Sequence, residues 1–175
     1  MSKPVSPQIS PLGPAHWPDV ARIQSLAYPP AFWEPLAALQ AKQAQSPHGC
    51  FVAHIDDVCV AYLISHASHA NSAPPLGHTA RPATPLDAHH WHVHDMAVQP
   101  SARGAGVGKA LWHTLCKQLK RQATMHIGLV AVLDAPAMWQ RWGFEAVPMQ
   151  DLPHHKQNAL ASYGQGACYM QQSLV

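Results

Sequence analysis

The segment His94-Asp-Met-Ala-Val-Gln-Pro-Ser-Ala-Arg103-Gly-Ala-Gly106-Val-Gly108-Lys-Ala-Leu111 constrains this chain more than any other. It reads as a strand, a short turn and a glycine-rich loop that opens a helix. Gly104, Gly106 and Gly108 let the backbone pass close to a bulky anion, because no Cβ stands in the way. The helix beyond them turns unpaired N–H groups and the positive end of its dipole toward that anion. The segment therefore suits a phosphate or pyrophosphate. Nucleotide and dinucleotide sites use similar loops for the same reason, and two observations separate them from this one. No Gly-x-x-x-x-Gly-Lys-Ser/Thr occurs, which argues against a P-loop. The loop also lies in the second half of the chain, after an expected hairpin, where a dinucleotide-binding fold would place it behind the first strand.

The surrounding pattern alternates strands and helices. Residues 8–12 read as a first strand. Residues 14–27 read as a helix, with Val20, Ile23 and Leu26/Ala27 at helical spacing. The run Tyr28-Pro-Pro-Ala-Phe32-Trp33 breaks it. A second helix is expected over 35–45, with Leu36, Ala38 and Leu39 on its apolar side. Residues 51–55 and 58–66 read as strands joined at Asp56-Asp57, a two-residue hairpin turn. Residues 68–90 are rich in Ala, Pro, Ser and His without a period and read as a long loop. A strand is expected over 91–98 and an amphipathic helix over 107–123, with Val107, Leu111, Leu115 and Leu119 on one stripe. The apolar run 127–133 fits a strand buried on both faces. Asp134 can cap a helix running to Trp142, which Gly143 ends. Residues 145–148 and 167–174 read as closing strands, so the fold class is a mixed α/β sheet flanked by helices.

Composition narrows the function. The 175 residues suit one domain, read as 1–175. Eleven Lys and Arg against nine Asp and Glu give only +2, which argues against a nucleic-acid partner. Cys50, Cys59, Cys116 and Cys168 form no Cys-x-x-Cys pair and read as reduced thiols of a cytosolic protein. The first residues have no apolar signal core, and no apolar run approaches the roughly 20 residues that span a membrane. A soluble cytoplasmic protein with no membrane partner is expected.

The pattern Arg103-x-x-Gly106-x-Gly108 after a strand resembles the acetyl-CoA loop of the GNAT superfamily of N-acetyltransferases. The downstream order of helix, strand, helix and Gly143-Phe144 is similar to that family too. The resemblance runs from about Ile9 to Leu174 and is strongest over 91–119 and 139–144. It implies a GNAT-type, mostly antiparallel sheet, with the acetyl-CoA loop at 96–109. It implies that the backbone of Met96, Ala97 and Val98 receives the pantetheine arm. The N–H groups of Gly104, Ala105, Gly106, Val107, Gly108 and Lys109 would surround the pyrophosphate. Arg103 would shape the loop or meet a phosphate edge. The implied cosubstrate is acetyl-CoA, and dimers are common in the family, so a homodimer is compatible with it.

Acetyl transfer to an amine needs a base for the ammonium, a donor for the oxyanion and an acid for the departing thiolate. The backbone N–H of Met96 is the implied oxyanion donor. His92-Val-His94 places two imidazoles on one face of a strand, with ordinary proton affinities suited to neutral pH. The pair resembles the two histidines of the arylalkylamine (serotonin) N-acetyltransferases, which makes His94 the first candidate base and His92 the second. Asp95 should then lie on the opposite face and pair with a basic group. The family's usual acid, a Tyr four residues before Gly143, is Trp139 here, and indole cannot serve as an acid. Trp139 is instead expected against the cofactor, and Tyr163, ahead of Tyr169, is the candidate acid. Tyr28, Phe32 and Trp33 form a rigid apolar segment suited to an acceptor wall; Glu34 stands at its rim with Asp56, Asp57 and Asp87.

The reading is acetyl-CoA-dependent N-acetylation of a small primary amine, either an arylalkylamine or a polyamine. Alternatives are a protein or peptide N-acetyltransferase and a noncatalytic CoA-binding sensor. A metal-binding protein built on His89, His90, His92 and His94, with His154 and His155, lacks a ligand set of defined spacing, so no metal is expected.

Overall fold

The computed structural model describes residues 6–69, 73–79 and 87–174. Seven strands form one sheet: β1 Gln8–Pro11, β2 Phe51–Ile55, β3 Val58–Ser68, β4 Asp87–Val98, β5 His126–Ala131, β6 Glu145–Ala146 and β7 Cys168–Ser173. Their order is β1-β2-β3-β4-β5-β7-β6, and only the β4–β5 pair is parallel. The helices are α1 Trp17–Ala27, α2 Leu36–Gln45, α3 Val107–Arg121, α4 Ala135–Arg141 and α5 His154–Ala161. The mixed, mostly antiparallel sheet flanked by helices is the expected fold class.

Each face is covered by an amphipathic layer. The stripe Val107, Leu111, Leu115 and Leu119 of α3 packs on Trp91, Val93, Ile127 and Leu129. On the other face Val20 and Ile23 of α1 and Leu39 of α2 pack on Val52, Tyr62, Ile64 and Ala97. A smaller cluster joins α5 to β7 through Ala159, Leu160 and Tyr169, together with Leu152 and Ala73. The β2–β3 hairpin turns at Asp56 and Asp57 with φ of 48° and 63°. Two left-handed residues are what the tightest hairpin requires, and aspartate tolerates that conformation better than most side chains.

Two irregularities in β4 position the site. First, its pairing with β5 runs only from His90↔His126 to Val93↔Leu129, after which the strands diverge. Second, β4 is bulged against β3: Ile64 pairs with Asp95 but Ser65 pairs with Val93, so His94 is the extra residue. A bulge resets the alternation of faces. Trp91 and Val93 face α3, as do Met96 and Val98 beyond the bulge. Ala97 faces α1 and α2.

Several boundaries differ from the sequence expectation. The loop expected over 68–90 is shorter, because the β3–β4 ladder continues through His66↔His92 and Ala67↔Trp91 to Ser68↔Asp87. Of that loop, residues 70–72 and 80–86 lie outside the described residues. Strand β5 ends at Ala131, and Leu133 takes a left-handed φ of 55°. Asp134 occupies the N-cap of α4 but makes no side-chain cap bond. Helix α5 was not expected: its buried residues are Lys156, Ala159 and Leu160, a face without a clear apolar period. No helix is long and apolar enough to cross a membrane among the described residues.

Gly128 on β5 is opposed by the Tyr169 ring. A Cβ there would collide with the Tyr169 hydroxyl and lie 2.7 Å from its Cζ. Gly128→Ala is expected to destabilise the fold by about 1–3 kcal/mol. Thermal denaturation should then show a Tm lower by roughly 3–10 °C; an unchanged Tm would mean that the ring gives way freely.

Candidate active site

A cavity of about 580 Å³ opens where β4 and β5 diverge. One end is built from the glycine loop. Gly104 and Gly106 hold φ of 81° and 76°, and Gly106 is the left-handed N-cap of α3. A Cβ on either would meet nothing within 4 Å, so these glycines are required for backbone conformation, and the space beside them is open. The first turn of α3 has no side-chain cap among the described residues. Its amides are therefore free for an anion. The loop is tied down at Val107, which is buried, and through Arg103, whose Nη2 donates to the Ala27 carbonyl at 3.3 Å.

The other end is lined by Tyr28, Phe32, Glu34, Leu76, His94, Asp95 and Tyr163. His94 Nε2 lies 2.6 Å from Glu34 Oε1, and both side chains are buried. Glu34 Oε2 accepts the Gly77 N–H at 2.6 Å and lies 3.7 Å from Lys42 Nζ, which itself donates to the His78 carbonyl at 2.6 Å. The Glu34 backbone is clamped by Gln24, whose amide donates to its carbonyl and accepts from its N–H. Burial pushes the Glu34 carboxyl up, but the His94, Lys42 and Gly77 donors together hold it below its ordinary value. Burial holds the His94 imidazole below its ordinary value against the pull of Glu34. A neutral imidazole donating to a carboxylate is the state these directions describe.

His92 and His66 stand behind His94. The three ring centroids are 5.5–6.3 Å apart. Burial pushes His66 down to about 4 and His92 well below the usual imidazole range. Neither His92 nitrogen has a hydrogen-bond partner among the described residues. No group of three or more His, Cys, Asp or Glu among the described residues could hold a metal ion.

Asp95 is on the same face as His94, not the opposite one, because of the bulge. It meets two tyrosines where a basic group was expected: Tyr62 Oη at 2.6 Å and Tyr28 Oη at 2.8 Å. Tyr28 Oη is also 2.9 Å from the Met96 carbonyl. One phenol proton cannot fully serve both acceptors, and a protonated Asp95 resolves this by donating to Tyr28. Burial raises the Asp95 carboxyl to about 7, in keeping with that arrangement.

Residues 73–79 form a strap over this end. Tyr163 Oη donates to the Pro74 carbonyl at 2.9 Å, and the Leu76 N–H donates to Ser162 Oγ at 2.9 Å. Gly77 and His78 bond Glu34 and Lys42, as described.

Residues 17–144 match the acetyltransferase (GNAT) family. The chain belongs to the GNAT family. Solved structures share its fold. Ard1 from Thermoplasma volcanium aligns with a TM-score of 0.71 at 16% identity, over 98% of this chain and 99% of that one. The N-acetylglutamate synthase from Neisseria gonorrhoeae, complexed with coenzyme A and N-acetyl-glutamate, aligns with a TM-score of 0.69 at 13% identity, over 99% of this chain and 36% of that one. The GNAT-like decarboxylase GphF, in complex with isobutyryl-CoA, gives 0.72 at 12% identity, over 96% of this chain and all of that one. No curated protein matches the chain. As a GNAT acetyltransferase it is an acyltransferase with acetyl-CoA as cosubstrate.

Within this GNAT fold the cavity wall includes Met96, Ala97, Val98, Arg103, Gly104, Gly106, Val107, Gly108, Lys109 and Trp139 of the sequence-derived cofactor set. Ala105 is exposed in the loop and not part of the wall. Trp139 is buried edge-on to Trp142 and Phe144, with centroids 5.1 and 5.2 Å away. Tyr28, Phe32, His94 and Tyr163 also reach the cavity; His92 lies behind it. Trp33 is 45% exposed and donates its Nε1 proton to the Tyr28 carbonyl, outside the wall. Tyr169 is absent from the cavity, its ring lying over Lys156 Nζ at 3.5 Å. The contacts among Glu34, Lys42 and the strap were not foreseen. One signal was present: Lys42 follows Ala38 and Leu39 at helical spacing, a charge on an apolar stripe.

The raised Asp95 carboxyl has a consequence for stability. The folded chain keeps a proton that an unfolded aspartate sheds near its ordinary value of 3.8, so stability is lost as pH rises from there toward about 7. Asp95→Asn removes that loss. Denaturant unfolding at about pH 5 and pH 8 should show the variant gaining on the wild type at the higher pH; a pH-independent difference would mean that Asp95 is ionised throughout.

Proposed function

We propose that this enzyme acetylates the primary amine of a small molecule with an apolar body, an arylalkylamine before a polyamine. The observation that carries this reading is the strap: four hydrogen bonds hold residues 74–78 across the acceptor end of the cavity. A closed, aromatic end favours a compact amine over an extended peptide, which needs an open groove. Tyr28 and Phe32 supply the apolar wall. The resemblance of His92-Val-His94 to the arylalkylamine enzymes supports the same acceptor class.

Acetyl-CoA brings an electrophilic thioester carbonyl. The open backbone from Gly104 to Lys109 fits its pyrophosphate, and the β4 edge from Met96 to Val98, beyond the last β5 pair, fits its pantetheine arm. His94 takes the ammonium proton, directly or through water, and the Met96 N–H faces the developing oxyanion. Tyr163 holds a proton on its hydroxyl for the departing thiolate and releases Pro74 when it acts. Trp139 shapes the cavity wall as a packed indole.

The test is thiol release from acetyl-CoA with aromatic amines, polyamines, amino acids and short peptides as acceptors. Turnover with aromatic amines above the other classes is expected; preference for peptides would overturn the acceptor assignment. With the best acceptor, His94→Ala should lower kcat by about 10²-fold or more while sparing acetyl-CoA affinity. Gly106→Ala should act the other way round. Its left-handed φ costs a side chain on the order of 1–2 kcal/mol, so acetyl-CoA affinity should fall roughly tenfold by calorimetry.

A further inference from the structure

We infer that Glu34 is the positioning residue of this site: it holds His94 as the Nε2–H tautomer and leaves the Nδ1 lone pair as the base. The inference rests on His94 being the base of the proposed reaction and adds which nitrogen acts and what selects it.

An ionised carboxylate only accepts hydrogen bonds, so a neutral imidazole 2.6 Å away must present its proton to it. The donor is Nε2, and the proton is therefore absent from Nδ1. That second nitrogen is buried and has no hydrogen-bond partner among the described residues, in a residue that borders the cavity. A buried lone pair without a donor is costly to maintain, and an incoming ammonium supplies the missing donor.

Glu34 is itself fixed on every side. Gln24 clamps its backbone, and the Gly77 N–H and Lys42 both address Oε2. Oε1 is thereby left for His94 alone. This makes a glutamine at position 34 informative. Gly77 and Lys42 would claim its single carbonyl oxygen and turn its NH₂ toward His94. Nε2 would then have to accept, the ring proton would move to Nδ1, and the base would be lost without any change in shape.

The titratable groups facing His94 are Tyr28 behind α1, Glu34 and Lys42 from the α2 segment, His66 from β3, His92 and Asp95 from β4, and Tyr163 behind α5. Among these, Glu34 favours the imidazolium and Lys42 opposes it. Loss of the Glu34 charge should therefore move the His94 titration to lower pH.

The test is two-bond ¹H–¹⁵N correlation of histidine-labelled protein, with the His94 signals assigned by their loss in His94→Ala. The wild type should show Nε2–H with Nδ1 unprotonated, and Glu34→Gln should show Nδ1–H. The same variant should lose at least about tenfold in kcat, with acetyl-CoA affinity unchanged as the check on folding. An Nδ1–H wild type overturns the inference. So does a Glu34→Gln variant that keeps either its tautomer or its kcat. Should Glu34→Gln not fold, the wild-type spectrum alone decides. A failure of the acceptor assignment shows separately, as silence of the wild type across the amine panel, and the ring-nitrogen spectra still decide the role of Glu34.

Discussion

One extra residue in β4 sets the arrangement of the whole centre. Without the bulge, strict alternation would send the Asp95 carboxyl into the apolar layer under α3, beside Val93 and Leu129. With it, His94 and Asp95 point to the same side, toward Tyr28, Glu34 and Tyr62. The α3 face stays mostly apolar, with Ser65 accepting from the Trp91 indole as its buried polar pair, and the ionisable groups collect on the other. Pairing with β5 has already ended at Val93, so His94 and Asp95 stand at the point where the sheet opens.

The polar groups are buried together, and that decides their ionisation. Desolvation drives imidazoles toward the neutral form and carboxyls toward the protonated form. His66 and His92 follow it, as does Asp95. Glu34 alone resists, because three donors converge on it. The centre therefore holds one well-supported carboxylate, paired with the Lys42 ammonium and surrounded by neutral imidazoles and phenols. A single carboxylate of that kind can orient an imidazole without the mutual repulsion that a second ionised acid would bring.

Much of the fold was legible because its elements are locally consistent. The α3 stripe, the Asp56-Asp57 turn and the glycine loop each carry their own physical signature, and each appears where the residues indicated. The face of Asp95 was not legible. A bulge is a property of two paired strands, and no period within β4 reveals it. The same holds for Glu34 and His94, sixty positions apart, which meet only through the sheet. Helix α5 escaped because its inner face carries a lysine, whose charge masks the period while its ammonium sits over the Tyr169 ring. Trp33 misled because an aromatic run suggests a wall, yet only alternate members of it can face one way.

The strap joins parts that the sheet lets go. Beyond Val93 the molecule is two leaves, β1 to β4 on one side and β5 to β7 on the other. Residues 73–79 are fastened to the first leaf at Glu34 and Lys42, and to the second at Ser162, Tyr163 and the Ala73 cluster. It bridges the gap like a hasp. Widening the gap between the leaves would stretch the bonds of this segment, so the width of the cavity at its glycine-loop end and the cover over its other end are set by the same few contacts.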